Sequence, residues 1–114
     1  MTDFDSHLHL SPAVFHILLA LADEDHHGYA IMRDIEDRTD GVVRVGPGML
    51  YGSIKWLVSD GFIEEAAAKG KIEDERRKYY RLTTDGRGLL KAEASRLEAA
   101  VGLARSRRVF SKKA

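Results

Sequence analysis

The chain is predicted to fold as one α+β domain, and three observations predict it. Helical apolar spacing recurs in four separate segments, and two extended segments flank a charged loop that contains glycine. No internal repeat, low-complexity tract or linker divides the 114 residues. A chain of this length suits a single domain that buries only a modest share of its surface, so a second copy is a natural way to cover more of it. Hydrophobic residues make up 44% and charged residues 32%, the balance of a globular chain rather than a disordered one. No apolar run approaches the roughly 20 residues needed to span a bilayer. The opening MTDFDSHLHL lacks the basic, apolar and small-residue order of a signal peptide, and cysteine is absent. Together these features suggest a cytoplasmic protein.

The elements follow in order. Ser11-Pro12 reads as an N-cap followed by proline at the first helical position, and Val14, Ile17, Leu18, Leu21 and Ala22 carry the apolar face of a helix over 12–24. DEDHHG breaks it. A second helix is predicted over 27–38, with Ile31, Met32 and Ile35 inward and Arg33, Asp34, Glu36 and Asp37 outward. Thr39-Asp40-Gly41 supplies turn chemistry, and Val42, Val43 and Val45 favour a short extended piece. VGPGMLYGSIKWL then starts a third helix that stops at Asp60-Gly61. FIEEAAA and RRKYYRL flank KGKIEDE as a hairpin, and Thr83 or Thr84 with Asp85 caps a fourth helix running to about residue 106. Three helices closed by a two-stranded hairpin make the winged form of the helix-turn-helix, whose third helix is sized for the major groove.

The third helix is unusual on its outer side. Leu50, Ile54, Leu57 and Val58 define its core face, while Gly48, Gly52, Lys55, Trp56 and Ser59 fall opposite, with Met49, Tyr51 and Ser53 on the flanks. There is no acid between Gly41 and Asp60. Gly52 costs about 1 kcal/mol relative to alanine inside a helix, which suggests that something approaches the backbone closely there. Pro47 fixes the entry, and the free N–H groups of the first turn can meet phosphate. Trp56 has two readings, facing DNA or packing on a neighbouring element. The glycines complete neither GxGxxG nor GxxxxGK[ST], so they do not cradle a nucleotide.

Net charge is zero, but residues 1–40 hold nine acids against two bases, and residues 41–114 hold nine acids against sixteen bases. A split of this kind suggests one basic face and points weakly to nucleic acid. The stretch KGKIEDERRKYYR places Lys69 and Lys71 at the hairpin tip, where they can reach phosphate or the minor groove, with Arg76 and Arg77 following on the strand. On the last helix Leu90, Ala94, Leu97, Val101 and Ala104 repeat at alternating spacings of four and three, a coiled-coil-like seam for a second copy. Arg105 to Lys113 forms a basic tail. The five histidines make no HExxH, and no nucleophile or acid–base constellation emerges, so neither a metal, a cofactor nor an enzyme is expected.

These residues resemble the PadR family of bacterial transcriptional regulators. His27-Gly28-Tyr29, Gly48-Met49-Leu50-Tyr51, Lys55-Trp56-Leu57 and the run from Arg76 to Gly86 stand at the family's spacing, over residues 13 to about 90. The family usually has Thr where Met49 stands, and the chain ends soon after one long helix, like the short subfamily. The resemblance implies a homodimeric repressor, an operator of two half-sites and, often, release by a small aromatic effector. It adds Tyr29 to the DNA-facing set of Gly48, Met49, Tyr51, Gly52, Ser53, Lys55, Trp56, Lys69, Lys71, Arg76 and Arg77. The expected organisation is an arm over 1–10, a winged helix-turn-helix over 11–84, a dimerisation helix over 85–106 and a tail over 107–114. The alternative is a winged-helix protein-interaction module that has lost DNA, with Met49 and Trp56 as its apolar patch. The last helix carries no aromatic residue from Leu89 to Ala104, which disfavours stacking of a planar effector there.

Overall fold

The computed structural model describes residues 4, 7–67 and 77–111. Its elements are α1 (Pro12–Ala20), β1 (His26–His27), α2 (Gly28–Arg38), α3 (Pro47–Ser59), β2 (Ile63–Ala66), β3 (Tyr79–Leu82) and α4 (Thr84–Ser106). This is the α+β order that the sequence predicts, closed by a three-stranded antiparallel sheet in the order β1-β3-β2. Among the described residues no helix is long and apolar enough to cross a membrane.

Each helix begins where its capping chemistry permits. Ser11 Oγ accepts from Val14 N, His27 Nδ1 accepts from Ala30 N, and Thr83 Oγ1 accepts from Gly86 N. Gly61, at φ +82°, turns the chain out of α3 in the left-handed conformation that glycine adopts at no steric cost. One core then gathers Ile17 and Leu18 from α1, Ile31 and Ile35 from α2, Leu50 and Leu57 from α3, and Phe62, Ile63 and Leu89. α1 stops at Ala20, short of the predicted 24, but Leu21 still packs inward from its C-cap position.

Three expectations are corrected. The valines at 42–45 form no strand. Thr39 Oγ1 donates to the Ile35 carbonyl and accepts from Val43 N, which holds this connection as a turn, and Val45 plugs the core. The third strand is His26–His27 instead, paired with Tyr80 and Tyr79 of β3. Val58, expected in the core, is exposed, because the buried face of α3 is rotated toward Ser53. Leu90, expected in a seam between copies, is buried within its own chain, because α4 lies on α1 and β3 over its first turns.

Beyond those turns α4 leaves the body of the domain. Its 23 residues span about 34 Å. The radius of gyration is 16.1 Å, against about 13 Å for a compact domain of this length.

Candidate nucleic-acid interface

α3 carries its polar and small residues outward. Gly46 occupies the N-cap and offers no side-chain hydrogen bond, so the first-turn N–H groups keep their need for an acceptor. Gly48, Met49, Tyr51, Gly52, Lys55 and Ser59 are exposed on one side of the helix. A Cβ added to Gly48 or Gly52 would meet nothing within 4 Å, so the chain's own packing does not require glycine at either place. Gly28 is the opposite case. A Cβ there would lie 2.5 Å from the Tyr51 hydroxyl, and the missing side chain lets α3 dock its tyrosine on the first turn of α2. Tyr51 remains 51% exposed in that position.

Around this contact a groove of about 550 Å³ is lined by His27, Gly28, Tyr29, Tyr51, Arg77, Lys78 and Tyr80. It joins the helix-turn-helix to the root of the hairpin. Tyr29 is exposed, and its hydroxyl accepts from Arg33 Nη1 at 3.1 Å, a bond that raises the Arg33 pKa. The Tyr80 hydroxyl is pushed above the ordinary phenol range, first by burial and then by Glu65, so it stays protonated at neutral pH. Across the hairpin Arg81 Nε donates to Glu64 at 2.7 Å between register partners, which fixes how the strands meet.

The DNA-facing residues expected from the sequence separate into groups. Tyr29, Gly48, Met49, Tyr51, Gly52 and Lys55 share one surface with Arg77 near the groove. Ser53 does not join them and is corrected: it is 8% exposed and sits with Leu50, Ile54 and Leu57 on the buried side. Trp56 takes the packing alternative. It is half-buried against the core, near-parallel to His7 with centroids 6.4 Å apart and edge-on to Phe62. Lys69, Lys71 and Arg76 lie outside the described residues. On α4, Ala94 is exposed, Leu97 and Val101 are 36% and 40% exposed, and Ala104 is half-buried.

Three participants escaped sequence reasoning. His27 read as a turn residue, although its place in HGY, directly before a helix, was a signal for a cap. Lys78 was masked by the strand-edge reading of its basic run. Glu93 looked like an ordinary helical acid, yet it is 1% exposed and binds Arg96 with both oxygens, at 2.6 and 2.9 Å. It also accepts from Leu10 N at 3.1 Å, which ties the N-terminal arm to α4. The Arg96 bond lowers the Glu93 pKa against the opposing effect of burial.

With this geometry in place, the likeness to known proteins can be stated. Residues 17–92 match the profile of the transcriptional regulator PadR-like family. An uncharacterized 37.1 kDa protein in transposon TN4556 of Streptomyces fradiae is 40% identical over 78 residues, covering 68% of this chain and 21% of that protein. The chain therefore spans about a fifth of that relative's length. A PadR family transcription regulator from Clostridium difficile superposes with a TM-score of 0.70 at 22% identity, over 84% of this chain and 97% of that one. Bacillus subtilis PadR, solved in complex with operator DNA, gives a TM-score of 0.60 at 24% identity, over 69% of this chain and 43% of that one.

Proposed function

The chain belongs to the PadR-like family of transcriptional regulators, and from that premise we propose that it binds DNA sequence-specifically as a homodimeric repressor. The observation that carries this reading is the outer face of α3. It is free of acids, opened by two glycines with empty space around them, and flanked by the basic root of the hairpin. A helix presented this way fits the major groove, with Lys55 and Tyr51 toward the DNA and first-turn N–H groups toward a phosphate. The operator complex of the Bacillus subtilis protein supports the same orientation. Leu97, Val101 and Leu103, exposed on the overhanging half of α4, supply the apolar face for the second copy. A small-molecule effector would have to bind without an aromatic partner on α4 between Leu89 and Ala104, and flat aromatic dyes are expected to bind weakly.

The test is fluorescence anisotropy on DNA from upstream of the protein's own gene, across a salt series. Binding should prefer one sequence and weaken steeply with salt, because each neutralised phosphate releases counterions. Lys55→Ala should weaken binding without changing the unfolding transition. A flat response to both sequence and salt sinks the reading in favour of the protein-interaction module. Against that module stands the packing of Trp56 on His7 and Phe62, which removes half of its apolar patch. Gly52→Ala sharpens the point. It should stabilise α3 by about 1 kcal/mol while weakening DNA binding.

A further inference from the structure

We infer that the groove at the hairpin root seats one phosphate oxygen of the DNA backbone between His27 and Arg77. The inference rests on the DNA-binding reading for the source of that phosphate, but the seat itself follows from hydrogen-bond arithmetic on one imidazole ring.

The His27 ring is held from several directions. Its backbone pairs in register with Tyr79, the Tyr79 ring meets it edge-on at 5.2 Å, and the Tyr29 ring lies nearly parallel at 6.5 Å. Nδ1 lies 3.1 Å from Ala30 N, whose N–H it caps. Nε2 lies 2.9 Å from Arg77 Nη1. A neutral imidazole has one N–H and one lone pair, a charged one has no lone pair, and a guanidinium has only donors. Two donors therefore address a ring that can accept at one nitrogen at most. The Ala30 N–H is fixed by the helix and cannot turn away, so the cap takes the lone pair and Nε2 carries the proton. The imidazole N–H and the Arg77 guanidinium then converge on the same region of the groove. Placing the proton on Nδ1 instead only moves the conflict to the Ala30 N–H.

An oxygen with several lone pairs and negative charge resolves the convergence by accepting from both. A phosphodiester oxygen suits it, since bonds to charged groups are the stronger class. The rest of the groove agrees. Lys78 lines it beside Arg77, and no acid is among its described lining residues. The Tyr29 hydroxyl, which accepts from Arg33, keeps its own proton to donate. The groove also adjoins Tyr51 at the start of α3, where the DNA backbone would pass if α3 lies in the major groove. His27 is on this account a backbone contact that positions α3 and carries no base preference.

The experiment uses the full chain and two probes. His27→Asn keeps a strong N-cap side chain but is too short to reach Arg77, so the helix should stay intact by circular dichroism. On a mixed-sequence DNA duplex, His27→Asn should weaken binding about tenfold, whatever the sequence. Arg77→Gln should also reduce the salt slope by about one. The double variant should bind little worse than Arg77→Gln alone, because both groups serve one oxygen. The second probe is inorganic phosphate, followed by nitrogen NMR of the wild-type His27 ring and Arg77 guanidinium. Both resonances should move together, and neither variant should show the response. Wild-type duplex affinity in His27→Asn, with a ring signal that phosphate leaves unmoved, overturns the seat while the DNA reading stands. A ring that responds to phosphate in a protein that fails to bind the duplex supports the seat and overturns DNA as its source.

Discussion

The two halves of α4 follow one apolar spacing and meet opposite fates. In the first half Leu89 and Leu90 are buried, Gly86 lies so close to Phe62 that a Cβ would overlap its carbonyl oxygen, and Glu93 is enclosed with Arg96 and Leu10. In the second half Leu97, Val101 and Leu103 stand exposed. Periodicity states which residues share a face of a helix. What covers that face depends on where the rest of the chain runs, and α1 and β3 accompany only the first turns of α4.

The comparison can be broken by substitution, and the largest effect is expected at Leu89. Leu89→Ala should destabilise the fold by about 2–5 kcal/mol in denaturant unfolding, as for a fully buried leucine that leaves a cavity. An effect comparable to that of a surface residue would mean that the first half is not held as described. Glu93→Gln should cost less, about 1–3 kcal/mol, by weakening bonds to Arg96 and Leu10 N. Its pH dependence has a definite sign. The folded-state pKa of Glu93 is lowered by Arg96, so its contribution is present above the ordinary carboxylate range and is lost as pH falls through the lowered value. The midpoints of wild type and Glu93→Gln should therefore converge in acid. A gap that stays constant from neutral pH into acid would contradict the pairing. Leu97→Ala and Val101→Ala should have the smallest effect on the fold, within about 0.5 kcal/mol at concentrations where the chain is monomeric. They should instead shift the sedimentation equilibrium toward monomer, and an unchanged equilibrium would remove the second half of α4 from the interface.

The fold was legible because local signals agreed. Ser11-Pro12, Thr83 and Gly61 mark helix ends by capping chemistry that needs no partner, and the hairpin stands out between its charged loop and α4. Failures came where a distant element decided the outcome. The valines at 42–45 have β propensity but no strand to pair with, whereas His26–His27, with little propensity, lies beside β3. Ser53 and Val58 exchanged places because the buried stripe of α3 is set by what packs on it, and a small shift about the helix axis moves residues at its margins. At the candidate interface, the glycines and Lys55 were readable as an acid-free outer face. The His27–Arg77 pairing was not, since it joins residues fifty positions apart through the sheet. Glu93 was hidden for the same reason, its arm partner being 83 positions away.

Because α4 runs without a break from its close contact at Gly86 to Ser106, it acts as a stiff spoke with a fixed phase. Deleting one residue from its exposed half would shorten it by about 1.5 Å and turn everything beyond by about 100° about the helix axis. Leu103 and the turn at Arg107 and Arg108 would then face a different direction relative to α3. Length changes in this helix are therefore changes of angle first and of distance second. Insertions or deletions of three or four residues, which nearly restore the phase, should be tolerated where single ones are not.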